Sequence, residues 1–115
     1  MGAKSQRKGR AAELELTRLL QSHGIPAEPG KAVSYGSTPD ITGVPGIHVE
    51  VKRRENVNLS AALTQAAEDA ERFGDGLPAV FHRGNRQSWR VTMELSSWLE
   101  LYRSYQPPPC SNHKE

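Results

Sequence analysis

The chain has 115 residues, which is enough for one domain with a modest core. Its mean hydropathy of −0.66 and the lack of a long apolar run predict a soluble cytosolic protein with no membrane partner. The net charge of +2 is weak evidence for nucleic acid, and the single Cys110 excludes an internal disulfide.

The N-terminal part of the chain predicts a basic arm over residues 1–7 and an amphipathic helix over residues 8–23. Gly24 ends this helix, and Pro26 follows it. The apolar stripe of the predicted helix consists of Ala12, Leu16, Leu19 and Leu20.

Glu13 borders this apolar stripe. A carboxylate is costly to bury unless it is paired or bound to a metal, so Glu13 is a candidate metal ligand. The alternative is a surface pair with Arg10 at i−3, and the same kind of pair with Arg18 accounts for Glu15.

Short strands are predicted next, over residues 27–34, 40–41 and 47–53, the first of them weakened by a proline and a glycine. The segment 47–53 alternates, and alternate side chains of a strand share a face. Ile47, Val49 and Val51 therefore face the core, whereas His48, Glu50 and Lys52 face the other way together. The Gly- and Pro-rich turn over residues 42–46 folds Asp40 back toward Glu50, which lets both carboxylates bind one cation.

The second half of the chain predicts a helix that is capped by Asn56 or Asn58 and runs to about Phe73. Two strands, 77–83 and 88–93, follow around a Gly-Asn turn, and a short helix spans 95–102. Residues 1–105 thus form a single predicted domain. The tail 106–115 has three consecutive prolines and is predicted to be disordered.

The carboxylates around Lys52 predict a metal-dependent phosphodiester-cleaving site. Mg²⁺ prefers oxygen ligands, and a bound ion activates water and neutralises charge on a phosphoryl group. Lys52 is placed to orient that water or to hold the phosphate. The alternative is an exposed strand face with an ion pair that contributes about 0–1 kcal/mol.

The order of these motifs resembles the archaeal-type Holliday junction resolvases and their phage relatives, within the PD-(D/E)XK nuclease superfamily. The resemblance covers roughly residues 7–92. It depends on Lys8-Gly9-Arg10-Ala11-Ala12-Glu13, on Pro39-Asp40-Ile41, on Val49-Glu50-Val51-Lys52 and on a following helix with Gln65. It implies an α/β fold with a restriction-endonuclease-like core, in which helices flank a central mixed β-sheet.

The resemblance also implies roles for the matching residues. Glu13, Asp40 and Glu50 would hold Mg²⁺, for which Mn²⁺ would substitute, and Lys52 would be the catalytic lysine. Gln65 would be a supporting polar residue, unless it is only a solvated helix position. The side chains implied in DNA binding are Lys8, Arg10, Lys31, Ser34, Ser37, Arg53 and Arg54. Relatives often carry Arg where this chain has Lys31, and Lys does not reproduce a bidentate phosphate contact. Relatives carry one serine before the Pro-Asp, and Ser34 and Ser37 both fit it.

The implied function is Holliday junction resolution by a homodimer, in the cytoplasm of a prokaryotic host and with a phage gene as one possible source. Two active sites are needed to cut two strands symmetrically, and a two-fold dimer supplies them. The alternatives are a nuclease of the same fold that acts on flapped or single-stranded DNA, a non-catalytic nucleic-acid-binding module, and a purely structural or interaction protein.

Overall fold

The computed structural model describes residues 2–30 and 38–108, with side chains from residue 9 onward. Three helices and a five-stranded sheet make up this part of the chain. In chain order they are α1 (Gly2–Ser22), β1 (Glu28–Pro29), β2 (Ile41–Thr42), β3 (Ile47–Arg53), α2 (Leu59–Phe73), β4 (Leu77–Arg83), β5 (Arg90–Thr92) and α3 (Leu95–Ser104).

The sheet is mixed, and its strands lie side by side in chain order. Strands β3 and β4 pair in parallel and are connected by the crossover helix α2. The other neighbouring strands are antiparallel. The predicted α/β class is therefore confirmed.

The two faces of the sheet are covered by different helices. On one face, Val49 of β3 packs with Leu16 of α1 and Ile41 of β2. On the other face, Val80 of β4 packs with Ala62 and Ala66 of α2. The predicted alternation is confirmed for Val49. Glu50 and Val80 are register partners, so Glu50 lies on the face of the sheet that α2 covers.

Local signals set the ends of the central elements. Strands β3 and β4 have the predicted bounds. Asn58, not Asn56, caps α2, because its Oδ1 accepts the N–H of Ala61 at 3.0 Å. Gly74 ends the helix with φ of 63°, a left-handed conformation that glycine adopts without steric cost.

Other bounds differ from the prediction. Helix α1 begins at Gly2, so the stretch predicted as a basic arm has a helical backbone; it contains good helix formers such as Ala, Gln, Lys and Arg. Strand β1 covers two of the described residues predicted for the first strand, and residues 31–34 of that prediction lie outside the described residues. Pro29 cannot donate to the ladder. Strand β5 is shorter than predicted, and α3 runs two residues further.

Helix α3 and the residue after it expose most of the large apolar side chains on the described surface: Leu95, Trp98, Leu99, Leu101, Tyr102 and Tyr105. Trp98 and Tyr102 stack, with ring centroids 5.0 Å apart. The predicted disorder of the tail falls mostly outside the described residues. Within the described part of the chain, no helix is both long and apolar enough to span a membrane.

Candidate metal centre

Asp40 lies just before β2 and contacts the backbone of β3. Its Oδ2 accepts the N–H of Val51 at 2.9 Å, which holds the carboxylate beside Glu50 on the adjacent strand. Burial, followed by the negative charge of Glu50, raises the pKa of Asp40 to about 6, although the Val51 hydrogen bond and Lys52 oppose the rise. The predicted approach of Asp40 to the Glu50 strand is therefore observed.

Glu13 of α1 belongs to the same electrostatic group. Burial, then the charge of Asp40 and last that of Glu50 raise the pKa of Glu13 to about 7, against the opposing effect of Arg10. Arg10 Nη1 lies 3.5 Å from Glu13 Oε1 and donates to the carbonyl of Gly30 at 2.6 Å. The alternative pair of Glu13 with Arg10 is therefore present, and the role of Glu13 as a metal ligand stays a prediction.

Lys52 belongs to β3, and its amine contacts α2. Its Nζ donates to Gln65 Oε1 at 3.1 Å and lies 3.9 Å from Glu50 Oε2. Gln65 is exposed, yet its side chain contacts the predicted catalytic amine directly. Two residues of the predicted site that are 13 positions apart in sequence are therefore neighbours.

His48 is far more buried than the sequence predicts, with an exposed fraction of 1%. Its Nδ1 lies 2.9 Å and 3.0 Å from the two carboxylate oxygens of Asp75, and its Nε2 lies 3.3 Å from Glu50 Oε1. Burial lowers the pKa of His48, but the hydrogen bonds to Glu50 and Asp75 together raise it above its ordinary value. The reason for the burial is that α2 covers this face of β3.

Asp69 of α2 completes a close group of ligand atoms. One donor atom from each of His48, Glu50 and Asp69 lies within 4.8 Å of the other two. Among the described residues, no other three His, Cys, Asp or Glu side chains have ligand atoms this close together. The ligand atoms of the predicted set, Glu13, Asp40 and Glu50, therefore do not all lie within 4.8 Å of one another. Glu50 belongs to both sets.

Sequence reasoning did not identify Asp69 or Asp75. A signal for Asp69 exists, because it follows Gln65 by four residues and therefore lies on the same side of α2. Asp75 lies in the turn after α2, and nothing in the sequence indicates its contact with His48, 27 residues away.

The basic residues after Lys52 do not form one continuous patch beside it. Arg53 points to the opposite face, where it pairs in register with Arg83, and its Nη2 donates to Asn85 at 2.8 Å. Arg54 is exposed after the strand end. Strand alternation therefore directs Arg53 away from the face that carries Lys52.

Four other residues predicted to bind DNA have side chains outside the described part of the structure. Lys31, Ser34 and Ser37 lie outside the described residues, and the side chain of Lys8 lies outside them as well. Arg10 is engaged with Glu13 and Gly30.

Glu15 contacts distant residues and not Arg18, so that predicted pair is wrong. Arg83 donates to both Glu15 oxygens at 2.9 Å, and Trp89 Nε1 donates at 2.8 Å. These contacts fasten α1 to β4 and to the segment before β5. The hydrogen bond from Arg83 is the largest cause that lowers the pKa of Glu15.

Comparison with protein-family models, with curated proteins and with solved structures found no match to this chain. The function is therefore inferred from the site itself. Its chemistry is that of a half-buried anionic group beside one fixed amine, which suits a divalent cation and a phosphate ligand.

Proposed function

We propose that the chain is a Mg²⁺-dependent endonuclease that hydrolyses phosphodiester bonds in branched DNA, with four-way junctions as its preferred substrate. One observation carries the proposal: Glu13, Asp40 and Glu50 come from three separate parts of the chain and act on one another electrostatically. Like charges that share a half-buried site are costly unless protons or a cation neutralise them.

The residues present fit a Mg²⁺ ion. Asp40 and Glu50 offer carboxylate oxygens, which are the ligands this ion prefers, and Glu13 adds negative charge beside them. When bound, the ion supplies a polarised water and neutralises charge on a phosphoryl group.

Lys52 is the positive group that this chain itself contributes. Gln65 holds its Nζ near Glu50, which limits the positions that the amine can take. In this place Lys52 binds a phosphate oxygen or orients the attacking water. Gln65 acts through Lys52 and is a positioning residue.

The architecture is compatible with this proposal. A mixed sheet with α1 on one face and α2 on the other is the arrangement that the resemblance to PD-(D/E)XK nucleases implies. A binding module without catalysis has no need for three carboxylates close to DNA phosphates, so the acid group favours an enzyme.

The test uses labelled four-way junction, flap, duplex and single-stranded DNA, each with and without Mg²⁺. Cleavage of the junction should require the ion and should be lost in Asp40→Asn and Glu50→Gln, with junction binding retained in gel shifts. Glu68→Gln is the matched control, since Glu68 is an exposed residue of α2. Wild-type rates in both site variants would refute the assignment, whereas preferential cutting of flaps or single strands would select the alternative substrate.

We further propose that the active form is a homodimer that contacts its partner through α3. Single aromatic side chains are common on surfaces, but Trp98, Leu101 and Tyr102 lie close together on one exposed helix. A second copy is the partner that symmetric cleavage requires. Light scattering should give a dimer for the wild type and a monomer for Trp98→Lys, with Arg103→Gln as the control.

Dimerisation also predicts how junction preference responds to salt. A dimer that engages two arms gains from effective concentration, so junction binding should survive at salt concentrations that release linear duplex. The monomeric variant should lose this preference before it loses general binding. Equal affinities for junction and duplex at every salt concentration would refute the junction specificity.

A further inference from the structure

The orientation of His48 is determined by a second carboxylate. Both oxygens of Asp75 lie within 3.0 Å of Nδ1, so this nitrogen carries the hydrogen and donates it. The Nε2 atom therefore points at Glu50 from a ring that is almost completely buried. Histidine ligands of metals almost always donate their other ring N–H in this way, to a carboxylate, a backbone carbonyl or water.

One ligand atom from each of His48, Glu50 and Asp69 lies close enough to the others for a single ion. Two ligands that each lie about 2.0–2.2 Å from an ion are at most about 4.4 Å apart. The atoms of His48, Glu50 and Asp69 lie within 4.8 Å of one another, so a shift of a few tenths of an ångström brings them onto a common ion.

An ion pair alone does not account for the position of Asp69. If His48 served only as a buried cation, Glu50 and Asp75 would already neutralise it. Asp69 places a further carboxylate near Glu50, which raises the repulsion between like charges. A dication among the three side chains removes this repulsion.

We propose a second metal position, formed by His48, Glu50 and Asp69, that binds a first-row transition-metal dication in preference to Mg²⁺. The imidazole nitrogen is the cause of the preference, because imidazole suits ions such as Zn²⁺ and Co²⁺ and Mg²⁺ prefers oxygen. Asp75 is the positioning residue that orients His48. This inference does not require that the chain cleaves DNA.

The test is a Co²⁺ titration of the metal-stripped full chain in excess Mg²⁺, followed by visible absorption, with Zn²⁺ affinity measured by calorimetry. The wild type should bind one ion with a d–d spectrum that Mg²⁺ does not abolish. Asp69→Asn and His48→Gln should each weaken binding at least tenfold, and Asp75→Asn should weaken it about 10–100-fold. Asp69 is only partly buried, so Asp69→Asn keeps the test valid if His48→Gln fails to fold.

Three control variants separate this position from others on the same chain. Glu68→Gln, next to Asp69 but exposed, should bind Co²⁺ as the wild type does. Asp40→Asn should keep the spectrum, because Asp40 belongs only to the carboxylate set. Cys110→Ser accounts for metal bound by the thiol of the tail. Unchanged Co²⁺ binding in Asp69→Asn, or loss of binding in Asp40→Asn alone, would overturn the inference.

Discussion

Replacement of Asp40 by Asn should stabilise the metal-free protein at pH 8 while it removes the response to Mg²⁺. The folded protein raises the pKa of Asp40 from 3.8 to about 6, because the carboxylate is buried and lies near Glu50. A raised pKa means that the folded state holds the proton more tightly than the unfolded state does. Stability from this group is fully present below about pH 4 and is lost as the pH rises through about 6.

The size of this effect follows from the shift. One pKa unit corresponds to about 1.4 kcal/mol. Ionisation of Asp40 therefore costs the folded state about 3 kcal/mol at pH 8, where the wild type is charged. The oxygen of Asn still accepts the N–H of Val51, but the new amide group needs a partner. We expect a net gain of about 2 kcal/mol, which raises Tm by about 8 °C in a domain of this size.

The assay is thermal unfolding in EDTA at pH 5 and pH 8, repeated with Mg²⁺. At pH 5 the folded carboxyl is mostly protonated but the unfolded one is already ionised, so about half of the cost at pH 8 is present and the two proteins should differ clearly less in Tm than at pH 8. Added Mg²⁺ should raise Tm of the wild type at pH 8 and should leave the Asp40→Asn variant nearly unchanged. If Asp40→Asn is less stable than the wild type at pH 8 in EDTA, by the same amount as at pH 5, then ionised Asp40 does not destabilise the folded state and the reasoning is wrong.

The remaining predictions concern the neighbouring residues. Lys52→Met should abolish cleavage, because the amine acts on water or phosphate and not on the ion. Its Mn²⁺ affinity, measured by calorimetry, should stay within about threefold of the wild type. Lost metal binding in a folded variant would contradict this role of the amine. The metal affinity of the wild type should rise between pH 6 and pH 8, because Glu13, with a pKa of about 7, must lose its proton to bind a cation. The Glu13→Gln variant should show a smaller rise in affinity over the same pH range. Glu15→Gln should lower the free energy of unfolding by about 1 kcal/mol in urea titrations, since its bonds to Arg83 and Trp89 weaken, and should leave metal affinity unchanged. A loss of metal binding in Glu15→Gln would place this residue in the site.

The sequence alone determined the local structure around the site. The alternation of residues 47–53 and the end of α2 at Phe73 depend on interactions within a few residues, and both predicted features are present. One of the two predicted caps, Asn58, is also present. The approach of Asp40 to the Glu50 strand was also predictable, because a short Gly- and Pro-rich turn joins two adjacent antiparallel strands.

Only the tertiary structure decided what covers each face and which distant groups meet there. Periodicity placed His48 and Glu50 on one side of β3, but it did not show that α2 buries this side and brings Asp69 to it. The same limit explains why Glu15 pairs with Arg83, 68 residues away, and not with Arg18. Local spacing sets the direction of a side chain, whereas its partners depend on how separate elements pack, and that packing is set by the whole chain.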